Sequence, residues 1–273
     1  MKKIWYSFLL LLCFAPVWAE NISFKKLLKE AQPFVQKEIT SARTIPTSLI
    51  ALADEYSMVI SSQKSGGVAE YKPKKDRIYI FEKELRPWSE KQVFTAPDEL
   101  ARCLAPVFLH ELTHARNQQF AQAHSFVWPV TLSDEYIAVF WQVHFIQENL
   151  QQDPHYYDRC HGFMPPADFL NAKKEDLPAV ITDHYLKTNA HLPPPLTAAN
   201  LQALQENKKI LWHGYLFQPK RRVLSVKSLF QKGGDWTFLR QKQINLLPHT
   251  QFFKIYTRQQ NLLQQELQNV NFL

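Results

Sequence analysis

Glycine is scarce in this chain, six residues in 273. Folds built from many short strands and tight turns draw on glycine for positive-φ positions. The shortage therefore excludes a sheet-rich architecture and predicts mostly helix. Cysteine is scarcer still, at three. Beyond the N-terminus no apolar run approaches the ~20 residues that a membrane-spanning helix needs. There is no internal repeat, no low-complexity linker and no folded nucleic-acid motif. What is present is an apolar fraction of 45%, enough for a packed core. The formal charge is +7, but it is scattered. The basic clusters Lys72-Pro73-Lys74-Lys75 and Lys220-Arg221-Arg222 read as solvated turns rather than nucleic-acid patches.

The first nineteen residues have the layout of a secretory signal peptide. Lys2 and Lys3 supply a positive start, Ile4 to Phe14 an apolar run, and Val17-Trp18-Ala19 a small-residue exit. Cleavage is expected between Ala19 and Glu20. The run is short for a retained anchor, Pro16 interrupts it, and Leu12 before Cys13 argues against lipidation. Losing Lys2 and Lys3 lowers the charge from +7 to +5 (7 − 2), and the mature chain has 254 residues (273 − 19). That length suits one large domain or two small ones. An exported, periplasmic or secreted protein meets an oxidising compartment, where the remaining Cys103 and Cys160 can pair. Two readings stay open for them, a disulfide or two buried thiols.

Periodicity predicts a helix over 21–43, interrupted near Pro33, and another over 47–60. A hairpin follows, with Val68–Tyr71 and Arg77–Phe81 as strands around a 72–76 turn. Thr95 and Asp98 then resemble a helix start. Leu100, Leu104, Val107, Phe108, Leu112 and Ala115 form an apolar stripe at helical spacing. Pro106 is expected to kink that helix or to begin a second one. Past about Pro165 the chain reads as further helices broken by prolines, the last over 252–270.

The chemistry lies on the striped helix, at His110-Glu111-Leu112-Thr113-His114. Residues four apart share a helical face, with Cβ atoms ~6 Å apart, so both imidazoles can meet one metal ion. Glu111 points about 100° round the helix from His110. There it can take a proton from a metal-activated water without ligating the metal itself. Past Pro129, Thr131 or Ser133 caps another helix, which carries Glu135, Ala138 and Gln142 on one face. Glu135 is twenty-one residues beyond His114, room for an antiparallel return. It reads either as a third ligand, leaving a fourth zinc position open, or as an acid favoured by the dipole in a first helical turn.

These residues resemble the HExxH zinc peptidases, or zincins, and most closely the gluzincin branch, whose third ligand is a glutamate on the following helix. The resemblance rests on His110–His114 and on Asp134-Glu135-Tyr136-Ile137-Ala138 and covers roughly residues 68–150. The branch with a third histidine six residues after the second does not fit, because Phe120 holds that place. The resemblance implies one Zn2+ held by His110, His114 and Glu135, with Glu111 as catalytic base. It also implies an edge strand that aligns substrate by strand addition, with Arg77–Phe81 as candidate. A tyrosine or histidine commonly stabilises the oxyanion in such enzymes; Tyr157 and His155 are the candidates here, with Tyr156 and His161 nearby.

The expected fold is α+β, mainly α-helical. It comprises a signal peptide over 1–19, a minimal zincin-like core with a hairpin and an active-site helix over 20–160, and a helical region over 161–273. The expected function is that of an exported metallopeptidase acting on peptides or proteins, cell-envelope peptides among them. The alternative is a non-catalytic or degenerate zinc-binding envelope protein acting through interactions. Neither nucleic acid nor a stable membrane span belongs to either reading.

Overall fold

The computed structural model describes residues 23–188 apart from short gaps (64, 66, 92–93, 95, 125–127, 129–131), pieces of 210–225, and 249–270. The proposed signal peptide and its cleavage point lie outside the described residues. No described helix is long and apolar enough to cross a membrane.

The chain runs α1 (Phe24–Thr40), α2 (Thr47–Glu55), β1 (Met58–Ser61), β2 (Ala69–Lys72), β3 (Arg77–Phe81) and α3 (Glu82–Lys91). Two long helices follow, α4 (Pro97–Ala123) and α5 (Leu132–Gln152), then short α6 (Tyr156–Cys160), a 3-10 turn (His161–Phe163), α7 (Ala167–Asn171) and α8 (Leu177–Thr188). Beyond them come the short strands β4 (Ile210–Trp212), β5 (Tyr215–Phe217) and β6 (Leu224–Ser225), and a last helix, α9 (His249–Gln268). The fold is mainly helical with a small sheet, as expected.

Helix α4 is the axis of the molecule. α1 and α2 pack on it, α5 lies against it, and β2 meets it from the sheet. The six stripe residues are all at most 5% exposed. Burying each of the five larger side chains contributes about 1.5–3 kcal/mol, which makes α4 the organising element. Its start differs from expectation. The N-cap is Ala96, which has no side-chain oxygen to offer, and Pro97 takes the first helical position.

Pro106 does not begin a second helix; α4 is continuous across it. A proline deprives the carbonyl four residues back of its helical donor. Here that carbonyl belongs to Arg102, and the Tyr156 hydroxyl donates to it at 2.6 Å. Pro33 is likewise inside α1; it and Lys29, whose carbonyl it orphans, are on the exposed face, where water can serve.

The first sheet corrects two expectations. The predicted second helix stops at Glu55, and Met58–Ser61 is a strand pairing parallel with β3. The strand order is therefore β1-β3-β2, and Arg77–Phe81 is the central strand instead of an edge. The hairpin is as expected, β2 pairing antiparallel with β3. The strands of 210–225 are a second departure, from the purely helical reading of 161–273.

Cys103 and Cys160 form a disulfide, joining α4 to α6. The last helix is tied to the core at several points. Arg116 of α4 reaches both oxygens of Glu266 at 3.3 and 3.0 Å, Tyr256 packs on Trp128, and Lys174 donates to the carbonyls of Gln268 and Val270 at its end.

Candidate metal centre

His110 and His114 lie one helical turn apart on α4, as i,i+4 spacing requires. Their Nε2 atoms face each other at 3.2 Å. Antiparallel α5 brings Glu135 to the same point. Its Oε2 lies 3.5 Å from His110 Nε2 and its Oε1 3.6 Å from His114 Nε2. Among the described residues this is the group of three whose ligand atoms, all within 4.8 Å of one another, can hold a metal ion.

A buried carboxylate fixes the orientation of His114. Its Nδ1 lies 2.7 Å from Asp134 Oδ2. An ionised carboxylate only accepts, so Nδ1 carries the proton and Nε2 is turned to the centre, the arrangement that positions metal-binding histidines. Asp134, 0% exposed, is held in turn by Asn117 Nδ2 at 2.6 Å and Trp128 Nε1 at 2.9 Å. Asn117 sits one turn beyond His114 on α4, so that helix supplies both the ligand and part of its support.

Charge is tightly coupled inside the group. Burial pushes the His114 imidazole down, but Asp134 and Glu135 outweigh it and lift its pKa to about 10. Burial pushes Glu135 up, and His114 together with His110 and Tyr185 outweighs it, holding the carboxyl at about 2. A proton on His114 thus supplies positive charge beside the carboxylates of Asp134 and Glu135.

Glu111 is 8% exposed and does not join the ligand group. Its Oε2 accepts the backbone N–H of Tyr71 on β2 at 2.7 Å. It is near enough for its charge to raise the pKa of both His114 and Tyr185. The sequence reading missed Tyr185, whose hydroxyl on α8 donates to Glu135 Oε2 at 2.8 Å. Burial, then the charge of Glu135, pushes this phenol far above its ordinary value. Fifty residues separate it from Glu135, and no spacing signal links them.

His155 and Tyr157, the expected oxyanion candidates, sit elsewhere. His155 is exposed and precedes α6, its backbone N–H bonded to Asp153. The Tyr157 ring packs on His161. Their helix is fastened to the Arg102–Cys103 level of α4, about 10 Å along the helix from His110 at 1.5 Å per residue. Asp134 is a second omission, named in the sequence only as the residue before Glu135. No protein-family model, curated protein or solved structure matches this chain.

Proposed function

We propose that this chain is a zinc-dependent peptidase that hydrolyses peptide bonds in peptides or proteins outside the cytoplasm. One observation carries the reading. Tetrahedral zinc ligands at ~2.0–2.2 Å from the metal stand roughly 3.3–3.5 Å apart; the two Nε2 atoms here stand 3.2 Å apart, each has one oxygen of the Glu135 carboxylate within 3.6 Å, and one ligand atom from each of the three residues lies within 4.8 Å of the others. Two imidazoles and one carboxylate also form the donor set of catalytic zinc, with a position left for water or substrate. A structural site normally closes with a fourth protein ligand, and the group among the described residues has three.

Zinc held there would supply a Lewis acid that acidifies water and polarises a carbonyl oxygen. The chain's own groups do the rest. Glu111 has one carboxylate oxygen engaged by Tyr71 and the other available to take a proton from the attacking water and pass it to the leaving amine. Tyr185, protonated at any physiological pH, has its single O–H on Glu135 and would stabilise the developing oxyanion by turning that donor from the carboxylate. Asp134 keeps His114 in the ligating tautomer.

The Cys103–Cys160 bond supports an exported setting, since oxidising compartments preserve such bridges. With β3 central, strand addition falls to an outer strand, and β2, the strand against α4, is the one beside Glu111.

Glu111→Gln tests the reading. It keeps all three ligands and removes the base. We expect full zinc content and a fall in kcat of about 10²–10⁴-fold, measured on a quenched-peptide library that the wild type cleaves. Turnover within threefold of wild type would remove Glu111 from the mechanism.

A further inference from the structure

Four polar side chains outside the metal group converge on the turn between β2 and β3. Asp76 has φ 48°, the left-handed region that non-glycine residues rarely adopt. Its Oδ1 accepts the hydroxyls of Tyr56 at 2.5 Å and of Tyr71 at 2.7 Å. Gln119 of α4 donates to the Tyr56 oxygen at 3.1 Å, and the two tyrosine rings meet edge-on at 6.1 Å. Gln119 lies two turns beyond Glu111 on the same helix. Tyr71 is thereby held at both ends, its phenol by Asp76 and its backbone N–H by Glu111.

The sheet pattern explains why that N–H is available. Phe81 donates to the Val68 carbonyl, so in this antiparallel register the pairs that bond across the ladder are 68/81, 70/79 and 72/77. Ala69 and Tyr71 point their backbone groups the other way, to the open edge. Glu111 takes one of these edge donors. β2 is only four residues long, too short to hold its edge rigidly by ladder bonds alone. Behind the turn lies a polar cavity of about 220 Å³ lined by Glu55, Tyr56, Ser57, Asp76, Arg77 and Gln119. Hydrogen bonds therefore add to the packing of the buried Tyr56 and Tyr71 rings in fixing the turn against α4.

We propose that Asp76 is a positioning residue for Glu111: through Tyr71 and Tyr56 it sets the edge of β2 against α4, so that the Tyr71 N–H holds the carboxylate in one orientation. This rests on Glu111 being the catalytic base, but the placement of the Tyr71 amide is a separate, measurable consequence. Burial and then Asp76 push the Tyr56 phenol up to about 12, and the same two causes raise Tyr71 further. Both phenols stay protonated, hence donors to Asp76, throughout the working range.

The test compares Asp76→Gly with Asp76→Asn in the full chain. Glycine adopts the left-handed conformation freely and removes the acceptor; asparagine tolerates that conformation and keeps an acceptor oxygen. Hydrogen exchange at the Tyr71 amide is the first readout. We expect protection to fall at least about tenfold in Asp76→Gly, with the amides of β3 unchanged, and to return in Asp76→Asn. For peptide hydrolysis kcat falls about 10–100-fold in Asp76→Gly, with KM within threefold and zinc content unchanged. Unaltered Tyr71 protection, or an equal loss across β3, overturns the inference. If the wild type cleaves no peptide, the peptidase reading falls while the exchange result still decides whether Asp76 positions this edge.

Discussion

His114 serves two functions at two nitrogens. Nδ1–H donates to Asp134, and Nε2 faces His110 and Glu135. With a pKa of about 10, this ring is protonated at pH 7. A raised pKa means the proton is favoured below about pH 10, and ligation through Nε2 must displace it. Zinc uptake at pH 7 should therefore release about one proton from His114, and apparent affinity should rise close to tenfold per pH unit until about pH 10. Titration calorimetry in buffers of different ionisation heat measures this directly; uptake with no proton release would mean that His114 is not held protonated beside Asp134 and Glu135 at pH 7. At this scale the sequence was informative where local spacing carries the chemistry. His110 and His114 follow from i,i+4 spacing, while Glu135 had two open readings that only its placement within 4.8 Å of both histidines brings together. Asp134 was hidden because a carboxylate next to a ligand has no spacing of its own. Tyr185 was hidden because a contact over fifty residues depends on how α8 packs on α5.

Helix α4 shows how a local rule is offset by a distant partner. Its apolar stripe and the shared face of His110 and His114 were legible in the sequence, but proline chemistry alone pointed to a kink or a new helix start at Pro106. No second helix begins there because Tyr156, from α6, satisfies the Arg102 carbonyl, and because the surrounding stripe is fully buried. Tyr156→Phe should therefore cost about 1–3 kcal/mol, the usual penalty for stranding a buried acceptor, measured by urea unfolding. A change below 0.5 kcal/mol would show that another group serves Arg102. The misread strand β1 has a related origin. Met58-Val59-Ile60 continues the apolar character of α2, and a short apolar run does not distinguish helix from strand. Its partner β3 decides the matter, and by pairing on that side it turns β3 from an edge into the centre of the sheet.

Across the whole molecule, the C-terminal helix and helix α4, which carries His110 and His114, form one structure. Arg116, two residues beyond His114, bonds Ser48 on α2 and Glu266 on α9. Burial lowers the Arg116 pKa, and Glu266 opposes this by favouring the charge. Removing Glu266 leaves a largely buried guanidinium short of its counter-charge, a costly state, though Glu266 itself is partly exposed and the effect is moderated. Glu266→Gln should lower Tm by roughly 3–8 °C by calorimetry, and an unchanged Tm would show that the Arg116–Glu266 pair does not hold α9 to the core. Tyr256 on Trp128 and Trp128 on Asp134 extend the same connection to the ligand support. The account as a whole stands on metal occupancy of His110, His114 and Glu135. The most direct measurement is elemental analysis of the purified chain after zinc supply and dialysis, wild type beside His114→Ala. The account predicts about one zinc per chain in the wild type and its loss in the variant. A folded wild type that holds no zinc, or a variant that holds as much, would contradict it.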